Sequence, residues 1–337
     1  QGAGRCLMVI TRTPFRMSFF GGGTDFPEFF RNYGGSVLSA TFDKYCYVTL
    51  RPLPGFFDYE SEFVYSRIER VHTNREILHP AIRNAMIHWE VSHVRLNYEA
   101  DLPARTGLGT SSSFAVGMLH AIHAARGETV DKRVLADEAI YLERTLCGEC
   151  GGWQDQIAAS FGDLNRIDFY GDGYTVRPVE MPAARKAALS DSLMLFFTGI
   201  SRYSFDLQTA HRDAIALQTA TLSQMRAMVD TAEVILRGDG PLSDFGELLH
   251  ESWLRKRTLT GRVSTPLVDE AYEKARAAGA LGGKLLGAGG GGFLLFFVPQ
   301  EKKEAVRRAL SPLIEVSFSF EEEGSALLFR NEISTLT

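Results

Sequence analysis

Clusters of glycine are the feature of this sequence that most restricts its fold. The chain has 337 residues and 32 glycines, and 14 of the glycines lie in four short segments, at positions 21–23, 107–109, 151–152 and 282–292. Outside these segments glycine is less frequent than its usual share of about 7%. Because glycine has no Cβ, it lets the backbone approach a ligand or another loop closely. We therefore expect the four segments to form binding loops.

The order of strand and helix patterns predicts the fold class. Residues 8–12 and 37–50 are rich in β-branched and aromatic side chains and predict strands, whereas apolar residues recur at helical spacing over 114–122. Strands and helices are interleaved along the chain, but hairpins are frequent, for example around 171–173. This combination favours an α+β fold with mixed sheets over a doubly wound parallel sheet.

The length of the chain predicts two domains, at roughly 150 residues per domain. A polar stretch at 183–191 precedes a new apolar strand at 192–198, and we place the boundary there. The first domain would comprise residues 1–187 and the second residues 188–337.

Composition and charge exclude several classes of protein. The net charge is −5, so no overall positive field favours nucleic acid as a partner. The longest apolar runs are far shorter than the 18 or so residues that suggest a membrane span, and the first residues lack the apolar stretch of a signal peptide. Cys147 and Cys150 form a C-x-x-C, but no second pair completes a zinc site. We expect reduced thiols in a cytoplasmic protein.

The segment 103–113, PARTGLGTSSS, is typical of a phosphate-binding loop that leads into a helix. Its glycines would let the backbone approach an anion, and the helix N-terminus offers unpaired N–H groups and a partial positive charge. Its hydroxyls could bond phosphate oxygens or coordinate Mg²⁺. The G-K-[ST] ending of a Walker A loop is missing. An ordinary Ser/Thr N-cap is the alternative, although six Gly, Thr and Ser residues in seven positions exceed what a cap requires.

The first glycine cluster follows a predicted strand that carries Arg12 and Arg16, and it ends in Thr24 and Asp25. The carboxylate of Asp25 could accept hydrogen bonds from two sugar hydroxyls. In the alternative, Asp25 caps the helix that we predict over 26–31.

Two carboxylates accompany the third cluster. Glu143 is predicted on the polar side of the second helix, and Asp155 follows twelve residues later, just past the glycine turn. Near a phosphate loop, one could bind Mg²⁺ and the other accept a hydroxyl proton. With 41 acidic residues in the chain, the pair is weak evidence by itself.

The fourth cluster, 282–292, lies between two segments that we predict to be buried strands. A flexible linker would not be bracketed in this way, so we interpret it as a functional loop packed against a neighbour. A tight hairpin with bulges is the alternative.

In this order, the clusters resemble the three motifs of the galactokinase, homoserine kinase, mevalonate kinase and phosphomevalonate kinase (GHMP) superfamily. The central motif, P-x-x-x-G-L-G-[ST]-S-S, is matched at 103–112. RTPFR with GGGTD, GGWQDQ and KLLGAGGGGF are similar to segments of bacterial D-glycero-D-manno-heptose 7-phosphate kinases. The resemblance implies phosphorylation of the anomeric hydroxyl to give heptose 1,7-bisphosphate, on the route to nucleotide-activated heptose. It also implies a two-lobed fold with a ribosomal protein S5 domain 2-like N-terminal half and a ferredoxin-like C-terminal half.

The resemblance further implies roles for individual residues, with ATP and Mg²⁺ as cofactors. Asp155 would be the catalytic aspartate and Arg16 its basic partner, while Ser111 and Glu143 would bind Mg²⁺. The residues that would bind the ATP phosphates are Pro103, Gly107, Leu108, Gly109, Thr110, Ser111, Ser112 and Ser113. The residues that would bind the sugar are Gly22, Gly23, Thr24, Asp25, Gly289 and Gly290.

The sugar itself is less well defined by the resemblance. Galactokinases have Glu-His where this chain has Gly22 and Gly23, which is consistent with a sugar larger than galactose. A kinase for another sugar, such as fucose or heptose 1-phosphate, stays open, as does a non-catalytic sensor on the same fold. Candidates for binding the phosphate of a phosphosugar, chosen by residue type, are Lys44, Arg166, Arg202 and Lys284.

The partners that we expect are a phosphosugar and ATP, with no nucleic acid and no membrane. Pairs of phenylalanines at 19–20, 29–30 and 56–57 are expected in the core. An interface between two copies of the chain, giving a homodimer, is the alternative use of these pairs.

Overall fold

Two long strands organise the first half of the molecule. The computed structural model describes residues 7–200, 212, 218–259 and 263–332. Strands β1 (Leu7–Phe20) and β2 (Gly35–Pro52) pair antiparallel over most of their length, with Arg16 opposite Thr41. One end of β2 pairs with β5 (Val94–Ala100), and the other end pairs with β6 (Leu164–Tyr170).

These strands belong to a mixed sheet, as the sequence predicted. Its order is β12-β1-β2-β5-β3-β4, with β6 paired to β2 and β7 paired to β6. The pairing of β3 with β5 is parallel, and the other pairs are antiparallel. The remaining strands of this sheet are β3 (Ser61–Val64), β4 (Ile68–Val71), β7 (Gly173–Pro178) and β12 (Ala326–Glu332).

A second, antiparallel sheet has the order β11-β8-β10-β9. Its strands are β8 (Leu193–Phe197), β9 (Gly282–Leu285), β10 (Phe293–Phe297) and β11 (Ile314–Val316). The fourth glycine cluster therefore begins in β9 and continues through the connection between β9 and β10. Two sheets with helices packed on them make the fold α+β.

A predicted cap and a predicted glycine mark the ends of two neighbouring helices, α3 (Thr110–Ala125) and α4 (Lys132–Ile140). Asp131 caps α4 by accepting a hydrogen bond from the N–H of Arg133, and Gly127, with φ of +83°, follows the end of α3. The α-helices of the described residues are α1 (Pro27–Tyr33), α2 (Pro80–His88), α3 (Thr110–Ala125), α4 (Lys132–Ile140), α5 (Gln154–Phe161), α6 (Ala183–Asp191), α7 (Thr219–Arg237), α8 (Ser243–Leu259), α9 (Pro266–Ala277) and α10 (Lys303–Ala309). None of them is both long and apolar enough to cross a bilayer.

A shared hydrophobic core joins the two sheets. Phe15 and Phe19 of β1 belong to the same buried cluster as Leu195 and Leu295 of the second sheet. Leu108 and Leu286, from the second and fourth glycine clusters, belong to this buried cluster as well. Burial of this apolar surface stabilises both loops in fixed positions between the two halves.

The end of the chain returns to the first sheet. Strand β12 pairs antiparallel with β1, so the last strand lies with the N-terminal half although it is 130 residues beyond β8. The domain boundary between residues 187 and 188 stays a prediction; it falls within α6. The sequence also predicts a long helical region from about 204 to 237; its second part is α7, whereas 204–211 and 213–217 lie outside the described residues, as does Arg202.

The phenylalanine pairs divide between core and surface. Phe19, Phe20, Phe29 and Phe30 are buried, as expected. The expectation is wrong for 56–57, because Phe56 is 75% exposed and Phe57 is 44% exposed. They lie in the connection between β2 and β3, outside the buried clusters of the core. The homodimer stays a prediction.

Candidate active site

The predicted phosphate loop lies at the N-terminus of α3. Gly109 precedes the helix in the left-handed region, with φ of +72°, and it has no side chain to cap the first turn. The N–H groups of Thr110, Ser111 and Ser112 therefore lack the capping partner that most helices provide. A helix of 16 residues that begins in this way is suited to an anion, because its N–H groups and dipole both favour negative charge.

Several hydrogen bonds fasten this loop to β1. The N–H of Arg16 donates to the carbonyl of Leu108 (3.1 Å), and the Ser113 hydroxyl donates to the carbonyl of Pro14 (2.9 Å). Leu108 and Ser113 are fully buried, so the side chains of these two predicted phosphate-binding residues point into the protein. Pro103 and Ser111 are exposed at the surface. Thr110 accepts a hydrogen bond from the N–H of Arg105 (3.3 Å).

Arg16 and Asp155 form a bidentate ion pair beside the loop. Nε of Arg16 donates to Oδ1 of Asp155 (2.7 Å), and Nη2 donates to Oδ2 (2.8 Å). Nη1 of Arg16 donates to the carbonyl of Gly107 (2.7 Å), so the same guanidinium joins the carboxylate to the phosphate loop. Arg16 is buried, and Asp155 lies in the first turn of α5 with part of its side chain exposed. The two-pronged geometry fixes the orientation of the carboxylate.

Glycines bring the loops into direct contact. A Cβ atom on Gly109 would lie 3.4 Å from Oδ2 of Asp155, and one on Gly107 would lie 2.4 Å from the carbonyl oxygen of Leu286. A Cβ on Gly287 would lie 2.3 Å from Cα of Gly107. The second and fourth glycine clusters therefore pack backbone against backbone, as the functional-loop interpretation of the fourth cluster predicted.

Gly289 and Gly290 lie against a different neighbour. The N–H of Gly290 donates to the carbonyl of Val263 (3.0 Å), and a Cβ on Gly289 would lie 2.6 Å from the same oxygen. These contacts attach the loop to the segment before α9. Neither of these contacts involves a residue of the first cluster.

Asp25 is buried next to the third cluster. Its Oδ1 accepts from the N–H of Gly23 (2.9 Å), and its Oδ2 accepts from the N–H of Gln154 (3.4 Å). A Cβ on Gly152 would lie only 1.9 Å from Oδ2, so a glycine is required there to make room for the carboxylate. Burial and the negative charge of Asp155 raise the pKa of Asp25.

Gly23 and Thr24, the two residues before Asp25, stabilise the conformation of the loop. The Thr24 side chain is fully buried, and its hydroxyl contacts the carbonyls of Gly21 (2.8 Å) and Ser36 (2.9 Å). Gly23 has a φ of +97°, which a residue with a Cβ rarely adopts. Thr24 and Gly23 therefore fix the shape of the turn that leads to Asp25.

Glu143 is buried, contrary to the prediction that it lies on the polar side of its helix. Residues Tyr141–Leu146 form a π-helical turn, and its wider winding rotates Glu143 towards the phosphate loop. There it accepts hydrogen bonds from the hydroxyls of Ser111 (3.2 Å) and Ser112 (2.7 Å) and from the side-chain amide of Gln156. Burial, and next the charge of Glu149, raise the pKa of Glu143 to about 8.

This buried carboxyl predicts how stability depends on pH. Because the pKa of Glu143 is higher in the folded protein than the ordinary value of 4.5, its stabilising effect is complete below pH 4.5 and is lost as the pH rises to about 8. We expect the metal-free protein to lose about 2–5 kcal/mol of unfolding free energy over this range relative to Glu143→Gln. Urea unfolding at pH 5 and pH 8 measures the difference. The exposed Glu301→Gln is the control, and parallel pH profiles for all three proteins would contradict the assignment.

Lys256 on α8 is a charged residue of this region that the sequence analysis missed. Its buried ammonium donates to the carbonyls of Leu285 (3.0 Å) and Gly287 (2.5 Å), within the fourth cluster. Burial, and next the charge of Arg16, lower the pKa of Lys256 to about 7. In the sequence it stands within an ordinary basic stretch, 255–257, so no local pattern marks it.

The cations proposed for a sugar phosphate are engaged elsewhere. Lys284 is buried, and its ammonium donates to the carbonyl of Phe19 (2.8 Å). Arg166 forms ion pairs with Asp168, Asp230 and Glu233, and Lys44 pairs with the neighbouring Asp43. Choosing candidates by residue type does not take such partners into account, and several of them, such as Glu233 for Arg166 and Phe19 for Lys284, come from distant segments. The structure therefore gives no support to these three as phosphate ligands.

The predicted phosphate loop, the Arg16–Asp155 pair beside it and the buried carboxyl of Asp25 lie together, as the sequence predicted for a phosphotransferase. Two family models match the chain, the GHMP kinases N terminal domain over residues 76–163 and the GHMP kinases C terminal over residues 231–313. Together they match half of the chain, and its motifs lie in the order typical of that family. The chain belongs to the GHMP kinases, and it is a sugar kinase, a phosphotransferase with an alcohol group as acceptor.

Relatives of known name agree with this class. The D-glycero-alpha-D-manno-heptose 7-phosphate kinase of Campylobacter jejuni is 29% identical over 335 residues, which cover 94% of this chain and 97% of the relative. A D-glycero-D-manno-heptose 1-phosphate kinase structure from Bacteroides thetaiotaomicron is 25% identical, covers 95% of this chain and 99% of its own, and superimposes with a TM-score of 0.70. A galactokinase structure from Lactococcus lactis, at 18% identity and a TM-score of 0.73, shares the fold over 95% of both chains. Sugar kinases of this family use ATP as co-substrate.

Proposed function

We propose that this protein transfers the γ-phosphoryl group of ATP to the anomeric hydroxyl of D-glycero-D-manno-heptose 7-phosphate, giving heptose 1,7-bisphosphate. The observation that carries the proposal is the Arg16–Asp155 pair, which contacts the phosphate loop on one side and neighbours Asp25 on the other. The heptose phosphate kinases among the relatives support the choice of a heptose phosphate. Phosphoryl transfer depends mainly on alignment and charge stabilisation, and the site provides both.

The phosphate loop would bind the nucleotide through its backbone. The N–H groups over 107–112 and the dipole of α3 would offset the charge of the ATP phosphates. Ser111 and Ser112 are the hydroxyls of the loop that lie next to Glu143, whereas Ser113 acts as an anchor through Pro14. We therefore expect the ATP phosphates to contact mainly backbone N–H groups of the loop and two or three of its hydroxyls.

Ser111 and Glu143 fit a magnesium ion. Their oxygens lie 3.2 Å apart at the start of α3, and both are hard ligands of the kind that Mg²⁺ prefers. The described residues hold no cluster of three or more His, Cys, Asp or Glu side chains that could bind a metal alone. That agrees with Mg²⁺, which usually takes one or two protein ligands and completes its shell with phosphates and water. When bound, the ion would neutralise charge on the phosphates.

Asp155 would direct the acceptor hydroxyl. Each of its oxygens accepts one hydrogen bond from Arg16, which leaves a lone pair on each oxygen for the substrate. The carboxylate can then orient the anomeric hydroxyl towards the γ-phosphorus and take up its proton as the new O–P bond forms. Arg16 keeps the carboxylate in place and adds positive charge beside the transferring group.

ADP release in the presence of added sugars tests this function. Heptose 7-phosphate, heptose 1-phosphate, unphosphorylated heptose and fucose should be compared at equal concentration with Mg²⁺-ATP. We expect kcat/KM to be highest for heptose 7-phosphate. A preference for heptose 1-phosphate or for fucose would replace the substrate but retain the kinase. No ADP release with any sugar would favour the non-catalytic sensor.

A further inference from the structure

Strand alternation places Ser18 beside the reacting groups. On β1 every second side chain faces the same way, so Ser18 lies on the same face as Arg16, about 7 Å further along the strand. Phe15, Met17 and Phe19 face the opposite side and are buried in the core. Ser18 is only 5% exposed, and its hydroxyl has no hydrogen-bond partner in the described part of the chain. A buried hydroxyl without a partner costs free energy, which a bound ligand would recover.

Gln154 approaches the same place from the third cluster. Its N–H donates to Asp25, and it directly precedes Asp155 at the start of α5. Its side-chain oxygen Oε1 is buried and, like the Ser18 hydroxyl, lacks a partner among the described residues. Two unpartnered polar groups thus lie close to the two carboxylates of the proposed site.

Gly22 leaves open space between these two side chains. A Cβ built there would lie 3.7 Å from Oγ of Ser18 and 3.9 Å from Nε2 of Gln154, at ordinary contact distances. No other atom of the described residues comes so near that position, and Gly22 is not among the glycines with positive φ. The backbone therefore does not require a glycine here. The absence of a side chain instead leaves room for an atom of a ligand.

We propose that Ser18 and Gln154, with the open position at Gly22, form a subsite for one hydroxyl group of the acceptor sugar other than the anomeric one. This inference rests on the proposed function. A sugar hydroxyl both donates and accepts, so at this position it can accept from Nε2 of Gln154 and donate to Oγ of Ser18. A phosphate group would bring further negative charge next to the buried carboxylate of Asp25, which accepts from the N–H of Gln154. The subsite therefore selects a neutral hydroxyl, and the phosphate of a phosphosugar lies elsewhere.

Kinetics with three variants test the subsite. Ser18→Ala and Gln154→Ala remove one partner each, and Gly22→Ala fills the space without backbone strain. We expect each to raise the KM for heptose 7-phosphate about 3–10-fold while the KM for ATP stays within twofold, because one net hydrogen bond is at stake. Ser160→Ala is the control, since Ser160 is a buried serine of α5 whose hydroxyl donates to the carbonyl of Gln156 (2.8 Å).

Deoxy analogues of heptose 7-phosphate separate recognition from a structural role. In the wild-type protein, the analogue lacking the hydroxyl that occupies the subsite should lose about 3–10-fold in kcat/KM. The same analogue should lose nothing further in Ser18→Ala, because the interaction is already missing. If the wild-type protein phosphorylates the heptose but every analogue loses equally in both proteins, the subsite is wrong and the kinase stands. If the wild-type protein phosphorylates no sugar, the proposed function and the subsite are both overturned.

Discussion

Asp155→Asn should lower kcat by about 10²–10⁴-fold, the usual contribution of a group that takes up a proton in the transition state. Asparagine has the size of aspartate but lacks its negative charge, and its amide nitrogen would face a donor of Arg16 in place of an accepting oxygen. The acceptor hydroxyl then loses both its orientation and its proton acceptor. The KM for ATP should change little, because Asp155 is not one of the groups that we assign to the nucleotide.

Steady-state rates with saturating ATP and sugar measure this effect. Asp172→Asn is a suitable control, because Asp172 is 84% exposed and pairs with Arg31 at the surface. Thermal unfolding of all three proteins shows whether the variant is folded. A folded Asp155→Asn protein with the wild-type kcat would refute the role that we give to Asp155.

Gly107→Val should reduce turnover about 10²-fold or more, the scale expected when reacting groups are displaced by about 1 Å. The valine Cβ would lie 2.4 Å from the carbonyl oxygen of Leu286, so the phosphate loop and the fourth cluster would be forced apart. The carbonyl of Gly107 would move as well, and it accepts a hydrogen bond from Arg16. One substitution therefore disturbs the nucleotide loop and the Arg16–Asp155 pair together.

Gly171→Val separates this contact from backbone strain. Both glycines have positive φ, +83° at Gly107 and +52° at Gly171, and a side chain in that region costs about 1–2 kcal/mol. Nothing lies within 4 Å of a Cβ on Gly171, so that variant has the strain without the collision. We expect Gly171→Val to retain its kcat despite lower stability. Equal turnover in the two variants would contradict the contact between the loops.

The sequence was most informative where the site requires the backbone to approach another group closely. The glycines at 107 and 287 are needed because two loops touch there, and Gly152 is needed because Asp25 occupies the place of its side chain. Such requirements leave a pattern of glycines, hydroxyls and carboxylates that can be interpreted without a structure. Arg16 and Asp155 each adjoin one of these clusters, but their roles as a pair were implied by the resemblance to the GHMP kinases.

Burial and pairing between distant segments could not be predicted in this way. Glu143 was expected on a polar helix face, but a π-helical turn, which leaves no clear sequence pattern, rotates it inwards. Lys256 lies in a stretch that looks solvent-exposed, and its partners are carbonyls some thirty residues away. Strand β12 pairs with β1 although the two strands lie at opposite ends of the chain, and local preferences do not encode that pairing. The sequence places Ser18 only within a predicted strand, because the lack of a hydrogen-bond partner for its hydroxyl can be recognised only from the structure.

The most direct test of the account is to locate the new phosphate by NMR. After incubation of the protein with Mg²⁺-ATP and heptose 7-phosphate, the product should show two phosphate monoester signals in the ³¹P spectrum. One should be coupled to the protons at C7 and the other to the anomeric proton. That result would establish transfer to the anomeric hydroxyl of a sugar that already carries its 7-phosphate. A new phosphate coupled to any other proton of the sugar, or an unchanged spectrum, would contradict the proposed reaction.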